Sequence, residues 1–297
     1  MPQNTALPRL HFLLAIAVMA VWGTNFVVIK LALTHLPPLW LATLRFACAF
    51  LPAAFFLKRP AVPVSNLAAY GILIGAGQFG LLFLAMKSYI TPGLASLVVQ
   101  IQVFFTIALS MRLTGERVRG FQWAALGLAT SGLAVILTHS DGSATPLGLI
   151  LVVMAAFCWS SGNMVSRAAG KVDMLAYVVW ASIFAVPPLL ILALLFEGAP
   201  AFMAGVHAAT ATTWAAGVWQ AVGNTMFGYA AWGWLLNRHP AATVAPMALM
   251  VPVFGLGASA LLLGEPLQPW KLTAFALVMA GLSVGMLWPR IKQRLKI

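Results

Sequence analysis

Residues 91–120 read TPGLASLVVQIQVFFTIALSMRLTGERVRG, and residues 239–268 read HPAATVAPMALMVPVFGLGASALLLGEPLQ. The second stretch is a degenerate copy of the first. Val103-Phe104 returns as Val253-Phe254 at an offset of 150, and Gly115-Glu116 returns as Gly264-Glu265 at an offset of 149. Further out, Gly132-Leu133 is answered by Gly281-Leu282, again 149 positions later. Trp22 and Trp159 each precede a basic residue by eight positions, Lys30 and Arg167. The pattern predicts a tandem duplication, with two homologous halves.

The solvent for these halves follows from composition. Of 297 residues, 62% are hydrophobic and 7% are charged, against roughly 45–50% and about 25% in an ordinary soluble domain. So few charges cannot cover a water-facing exterior, so most of the surface must face lipid. The net charge of +12 does not point to nucleic acid, because the basic residues stand in short clusters between apolar runs, as in loops beside an anionic leaflet. Cys48 and Cys158 fall inside apolar runs without metal-ligand spacing and are expected as small core residues. The first apolar run lacks a small-residue cleavage site and is expected to be a retained span.

A spanning helix needs about 20 mostly apolar residues. Ten such runs can be marked, at 11–33, 38–57, 67–89, 92–113, 120–138, 146–168, 173–196, 212–236, 240–263 and 269–288. Helix-end punctuation separates them, such as Leu36-Pro37-Pro38, Thr91-Pro92-Gly93 and His239-Pro240. The segment 197–211 is expected to form at most an extra surface turn. With a cytoplasmic N-terminus, thirteen Lys and Arg residues fall on the cytoplasmic side, from Arg9 through Arg59, Arg117, Arg167 and Arg238 to the tail PRIKQRLKI, against Lys30, Lys87 and Lys271 outside. That asymmetry places both termini inside. Five spans per half is an odd number, so the second half enters from the opposite face. The expected fold is therefore an all-α membrane protein of ten transmembrane helices, built as two inverted five-helix repeats around a central cavity. The first repeat covers 1–139, the second 146–288, and 289–297 is a basic cytoplasmic tail. Inverted repeats are a recurring plan of secondary transporters, with substrate near the midplane and alternating access, although some channels and membrane enzymes also duplicate.

Several stretches resemble one family. They are Trp22-Gly-Thr-Asn25-Phe-Val-Val-Ile-Lys30, Leu44-Arg45-Phe46, Gly93-Leu-Ala-Ser-Leu-Val-Val-Gln100-Ile-Gln102, and Ala245-Pro246 through Val251-Pro252-Val253 to Gly264-Glu265. On these the chain resembles the EamA family of the drug/metabolite transporter superfamily, in particular bacterial amino-acid exporters of the O-acetylserine/cysteine and aromatic types. The resemblance implies ten helices with cytoplasmic ends and a central cavity, without fixing the substrate.

Polar atoms in hydrocarbon are costly unless paired, so each mid-span polar residue either satisfies a neighbouring helix or lines a wet pathway. Gln100 and Gln102 lie near the bilayer centre. Two residues apart on an α-helix they point about 200° apart, so one is expected to face the cavity and the other a neighbouring helix. Gln78 sits beside Gly75, Gly77 and Gly80, which allow either close packing or room for a ligand. Trp22 with Asn25, and Trp159 with Asn163, fall too deep for the interfacial belt and would wall a substrate side chain or fill the core. Asn224 and Tyr229, followed by Trp232 and Trp234, add a polar and aromatic surface. Arg45 would attract a substrate carboxylate, or else cap carbonyls or snorkel outward. Glu116 and Glu265 end corresponding spans on opposite faces and are expected to anchor loops, through Arg117 or Lys271. Pro246, Pro252 and Pro187 are candidate hinges, with Pro52 and Pro188 also inside spans and static kinks the alternative.

The five acids and five histidines all stand at span ends or in loops, no nucleotide-binding motif occurs, and no metal-ligand or nucleophile–base constellation is present. The sequence therefore predicts no enzyme, no cofactor and no metal. It predicts a monomeric carrier in the bacterial inner membrane that exports small molecules, neutral, aromatic or sulfur-containing amino acids and related metabolites. A broad drug or metabolite carrier and a channel-like facilitator are the alternatives.

Overall fold

In hydrocarbon every backbone N–H and C=O must find a protein partner, and a long apolar run of about 20 residues does so as a helix, with its bonds inside the segment. The computed structural model describes residues 7–114, 120–139, 141–239 and 244–295, nearly all of them helical. The only strand-like pairing among the described residues is an isolated bridge between Ile90 and Ala144. Among the described residues seven helices are long and apolar enough to cross a bilayer: α1 (Arg9–Leu33), α2 (Pro38–Phe55), α3 (Val64–Ser88), α4 (Pro92–Leu109, continuing to Thr114), α5 (Gly120–Leu137), α6 (Pro146–Ala168) and α7 (Met174–Phe196). The segment expected as a surface turn is instead a short helix, α8 (Gly198–Ala208), launched by Gly198 at φ 77°. A glycine there adopts the left-handed conformation without a Cβ penalty.

Three further helical stretches follow. The next, α9, runs through Ala211–Trp219, Gln220–Phe227 and Gly228–Arg238. Gln220, Asn224 and Thr225 stand in its middle, and it is less apolar than the seven. α10 begins with a 3-10 segment, Ala245–Met250, and continues as Val251–Leu263; α11 is Pro269–Leu295, and both contain shorter apolar helices. Glu116, Arg117, Arg119 and Pro240 lie outside the described residues, as do the side chains of Pro246 and of the tail from residue 289 on.

Irregular helix recurs at matched places. Leu73–Gly80 in α3 and Gln220–Phe227 in α9 are both eight-residue π-helical runs, the second beginning 147 positions after the first. α4 is interrupted by a 3-10 turn at Val99–Ile101, and α10 opens with one. Pro252 therefore sits at the junction of the 3-10 and α-helical parts of α10, in the first α-helical turn, where its missing N–H costs little. Pro52 likewise ends the α-helical part of α2. Pro187 and Pro188 do lie inside a helix, α7.

Glycines let the helices touch. A Cβ on Gly23 of α1 would lie 2.6 Å from the Val251 carbonyl of α10. Between α5 and α11 the contact is reciprocal: a Cβ on Gly132 would meet the Ala274 carbonyl at 2.9 Å, and one on Gly281 the Ala125 carbonyl at 2.6 Å. The glycines near Gln78 serve packing, Gly75 against Ala185 of α7 and Gly77 against Cys158 of α6. Such small-residue seams take the place of a hydrophobic driving force between helices in lipid. Cys48, expected in the core, is exposed, and Cys158 is half-buried.

Candidate functional site

All the candidate polar residues from the sequence except Arg45 converge on one cavity of about 510 Å³, within the roughly 300–1,000 Å³ usual for small-molecule sites. α1 contributes Trp22 and Asn25, α3 contributes Tyr70, Gln78 and Phe79, and α4 contributes Gln100 and Gln102. Trp159 and Asn163 come from α6, and Asn224, Tyr229 and Trp232 from α9. Asn25 and Trp22, three residues apart, share a face, as do Trp159 and Asn163, four apart.

Both glutamines of α4 line the cavity, contrary to the expectation that one would turn away. The 3-10 turn at Val99–Ile101 explains this: at about 120° per residue, positions two apart are separated by only about 120° around the axis, against about 160° in an α-helix. Gln100 donates through Nε2 to the Ala248 carbonyl at 3.3 Å, and Gln102 accepts through Oε1 from the Thr106 hydroxyl at 3.3 Å. The Oε1 of Gln78 is buried without a partner among the described residues.

One wall is aromatic. The Trp22 indole lies 5.6 Å from both the Tyr229 and Trp232 rings, and its N–H donates to the Asn224 carbonyl at 3.4 Å. Gly228 is needed for this close approach, since a Cβ there would run into the indole. Trp234 points elsewhere, packing edge-on to His11 at 4.9 Å beneath the Arg238 guanidinium.

Arg45 neither borders this cavity nor snorkels outward. It is 2% exposed, and its guanidinium lies over the Phe79 ring at 3.6 Å, donating to Gln220 Oε1 at 2.8 Å and to the Thr225 hydroxyl at 3.4 Å. Gln220 Nε2 in turn donates to Asn25 Oδ1 at 2.7 Å. Gln220 was not among the residues picked out from sequence. Its signal was there, an amide four positions before Asn224 and hence on the same helix face.

The cavity reaches the surface at the α6–α7 loop, where the lining residues Arg167 and Gly170 are exposed. At the other end of the bundle, charged groups tie helix ends together. Lys30 Nζ donates to the carbonyls of Met86 and Lys87 at 3.2 and 3.1 Å, and Lys87 Nζ returns to Leu33, each cation satisfying helix C-terminal carbonyls. Two carboxylates cap helix N-termini in parallel. Glu197 accepts from the N–H groups of Leu39 and Trp40 at 2.9 and 3.1 Å, opening α2. Glu265 accepts from the Thr91 hydroxyl and from the Gly93 N–H at 3.1 Å, opening α4, while Lys271 stands 3.4 Å away. The expected pairing of Glu265 with Lys271 is thus present. Burial pushes the Glu197 carboxyl above its usual range, opposed by its two backbone donors and by Lys87.

A cavity of metabolite size, walled by amides and tryptophans and open toward one end, is an arrangement for holding and passing a small molecule. A family model for the EamA-like transporter family matches the chain twice, over residues 9–138 and 146–286. A protein of Salmonella typhimurium described as a probable amino-acid metabolite efflux pump is 40% identical, over 96% of this chain and 97% of its own. Its counterpart by description in Escherichia coli K12 is 38% identical over the same shares. A probable terminal-alkyne amino-acid exporter of Streptantibioticus cattleyicolor is 25% identical over 74% of this chain and 69% of its own. A crystal structure of a protein 20% identical in sequence covers 96% of this chain and 99% of its own with a TM-score of 0.61, a likeness of fold. Matched on both halves and along nearly its whole length, this multi-pass membrane protein belongs to the EamA-like transporter family.

Proposed function

We propose that the protein exports amino acids and closely related metabolites across the bacterial inner membrane by alternating access, with the 510 Å³ cavity as the substrate site. The observation that carries this reading is the lining itself. Neutral amides from Asn25, Gln78, Gln100, Gln102, Asn163 and Asn224 face an aromatic wall of Trp22, Trp159, Tyr229 and Trp232. Amides can meet both ends of a zwitterion, and tryptophan suits an apolar or sulfur-bearing side chain. The descriptions of the relatives, two as amino-acid metabolite efflux pumps and one as an amino-acid exporter, agree with it.

The end at which the cavity opens carries Arg59, Arg167, Lys171 and Arg238, which supports placing that end in the cytoplasm, the loading side for an exporter. The matched π-helical runs, and the reciprocal glycine contacts of α5 and α11, support two inverted five-helix repeats, 1–139 and 146–288, that rock about the site. In this reading Pro187 and Pro252 mark where α7 and α10 flex, and Pro246 belongs to the same junction.

The test is purified protein in liposomes, with uptake of radiolabelled amino acids competed by an unlabelled panel. Saturable uptake inhibited by a subset is expected. Uptake that is linear in concentration, or indifferent to every amino acid in the panel, overturns the proposal.

A further inference from the structure

We propose that Gln220 is a positioning residue that holds Asn25 as a hydrogen-bond donor toward the cavity, making the site selective for a ligand with an anionic oxygen, the carboxylate of the transported amino acid. The inference rests on the substrate-cavity reading above and names what that cavity selects.

The chemistry runs outward from Arg45. A guanidinium carries only donors and keeps its charge in proteins, so the Gln220 atom 2.8 Å from it must be the acceptor Oε1. The Thr225 hydroxyl fits the same polarity. It gives its proton to the Gln220 backbone carbonyl at 2.9 Å, leaving an oxygen lone pair for Arg45. The other arm of the Gln220 amide is then the NH2 group, and its partner at 2.7 Å must accept, which fixes Asn25 Oδ1 on that side. Asn25 Nδ2, with two N–H groups and no protein partner among the described residues, is left on the cavity wall. An isolated amide can be turned end for end without changing its shape. Here the cation at the root of the chain dictates the direction of both amides.

Two other donors on this wall are already used, while the amides of Gln78, Gln102, Asn163 and Asn224 also border the cavity but have, among the described residues, no chain of bonds back to Arg45. The Trp22 N–H is bonded to Asn224 and the Gln100 Nε2 to Ala248. Among the described residues no carboxylate pairs with Arg45. Its charge is buried at 2% exposure, beside Gln220 at 0% and Asn25 at 4%. An uncompensated cation behind a low-dielectric wall favours an anion on the other side of that wall and disfavours a second cation.

Two substitutions reverse the polarity. In Gln220→Glu the new carboxylate still accepts from Arg45 and neutralises it, but has no hydrogen to give Asn25, which must turn its NH2 inward and show the cavity an acceptor. Asn25→Asp leaves Gln220 in place and puts an acceptor and a negative charge on the wall directly. The assay is competition in proteoliposomes with radiolabelled phenylalanine and cysteine as probes, using each amino acid and its carboxamide as competitors. Wild type should prefer the amino acid. Either variant should shift the ratio of half-inhibitory concentrations by tenfold or more toward the carboxamide, a reversal that lost packing would not produce. Should one variant fail to fold, the other still decides. A ratio that stays at the wild-type value while both competitors weaken equally overturns the role of Gln220 and leaves the substrate reading standing. Wild-type protein with no saturable uptake of either probe overturns both.

Discussion

Replacing Glu265 with alanine should unseal the closed end of the bundle. Glu265 accepts from Thr91 and Gly93 at the start of α4 and faces Lys271, whose side chain is fully buried. Without the carboxylate, Lys271 becomes a buried unpaired charge, a change that costs about 3–5 kcal/mol when one member of a buried pair is removed. That cost falls on the conformation in which α4 and the start of α11 are joined through Glu265, and is relieved when the end opens and water reaches the lysine. At about 1.4 kcal/mol per tenfold, the equilibrium between closed and open forms of this end should move at least ~100-fold. Spin labels at the exposed positions Tyr89 and Leu267 would read it as a long-distance component in pulsed dipolar spectra that wild type lacks. Adding Lys271→Met should recover part of the closed population, because the lone charge is gone. Unchanged distance distributions in Glu265→Ala, or no recovery in the double variant, would refute the reasoning.

Trp22→Ala removes the ring that packs at a tilt against Tyr229 and Trp232 and walls the cavity; an aromatic pair with the substrate is worth about 0.5–1.5 kcal/mol beyond its area, so KM for an aromatic substrate should rise about 2–12-fold at similar protein levels. Gly23→Ala forces a Cβ to within 2.6 Å of the Val251 carbonyl, an overpacking of about 1–3 kcal/mol that should lower the melting temperature in detergent, whereas Gly127→Ala, which meets nothing within 4 Å, should not. Burial raises the Glu197 carboxyl in the folded protein, so its contribution to stability is complete below the ordinary glutamate value of about 4.3 and is lost as pH climbs through the raised value. Thermal unfolding from mildly acidic to neutral pH should therefore show a downward component that Glu197→Gln removes; an identical pH slope in the variant would contradict this.

The membrane fold was legible because twenty-residue apolar runs leave few other options, and the same logic exposed the amides and deep tryptophans as cavity candidates. Legibility failed where geometry departs from the ideal helix or where partners are remote in sequence. The angle between Gln100 and Gln102 departs from the ideal because of the 3-10 turn at Val99–Ile101, which nothing in the sequence announces. Sequence alone leaves Arg45 to the cavity or the surface, because its partners, Gln220 and Thr225, lie 175 and 180 positions away. The helix at Gly198–Ala208 is hard to tell from a loop in sequence, because its small and apolar residues carry no long amphipathic stripe. Glu265 and Lys271, in contrast, are six residues apart, and that pairing could be anticipated.

The two π-helical runs carry a practical consequence for anyone placing probes on this protein. A turn closed by i+5 bonds falls behind an α-helix by about one residue, roughly 100° of azimuth. A helical wheel drawn from Val64 thus loses phase after Leu73, and one drawn from Ala211 loses it after Gln220. Labels meant for the lipid side of α3 or α9 should be indexed afresh from Leu81 and Gly228, or they will report on the wrong compartment.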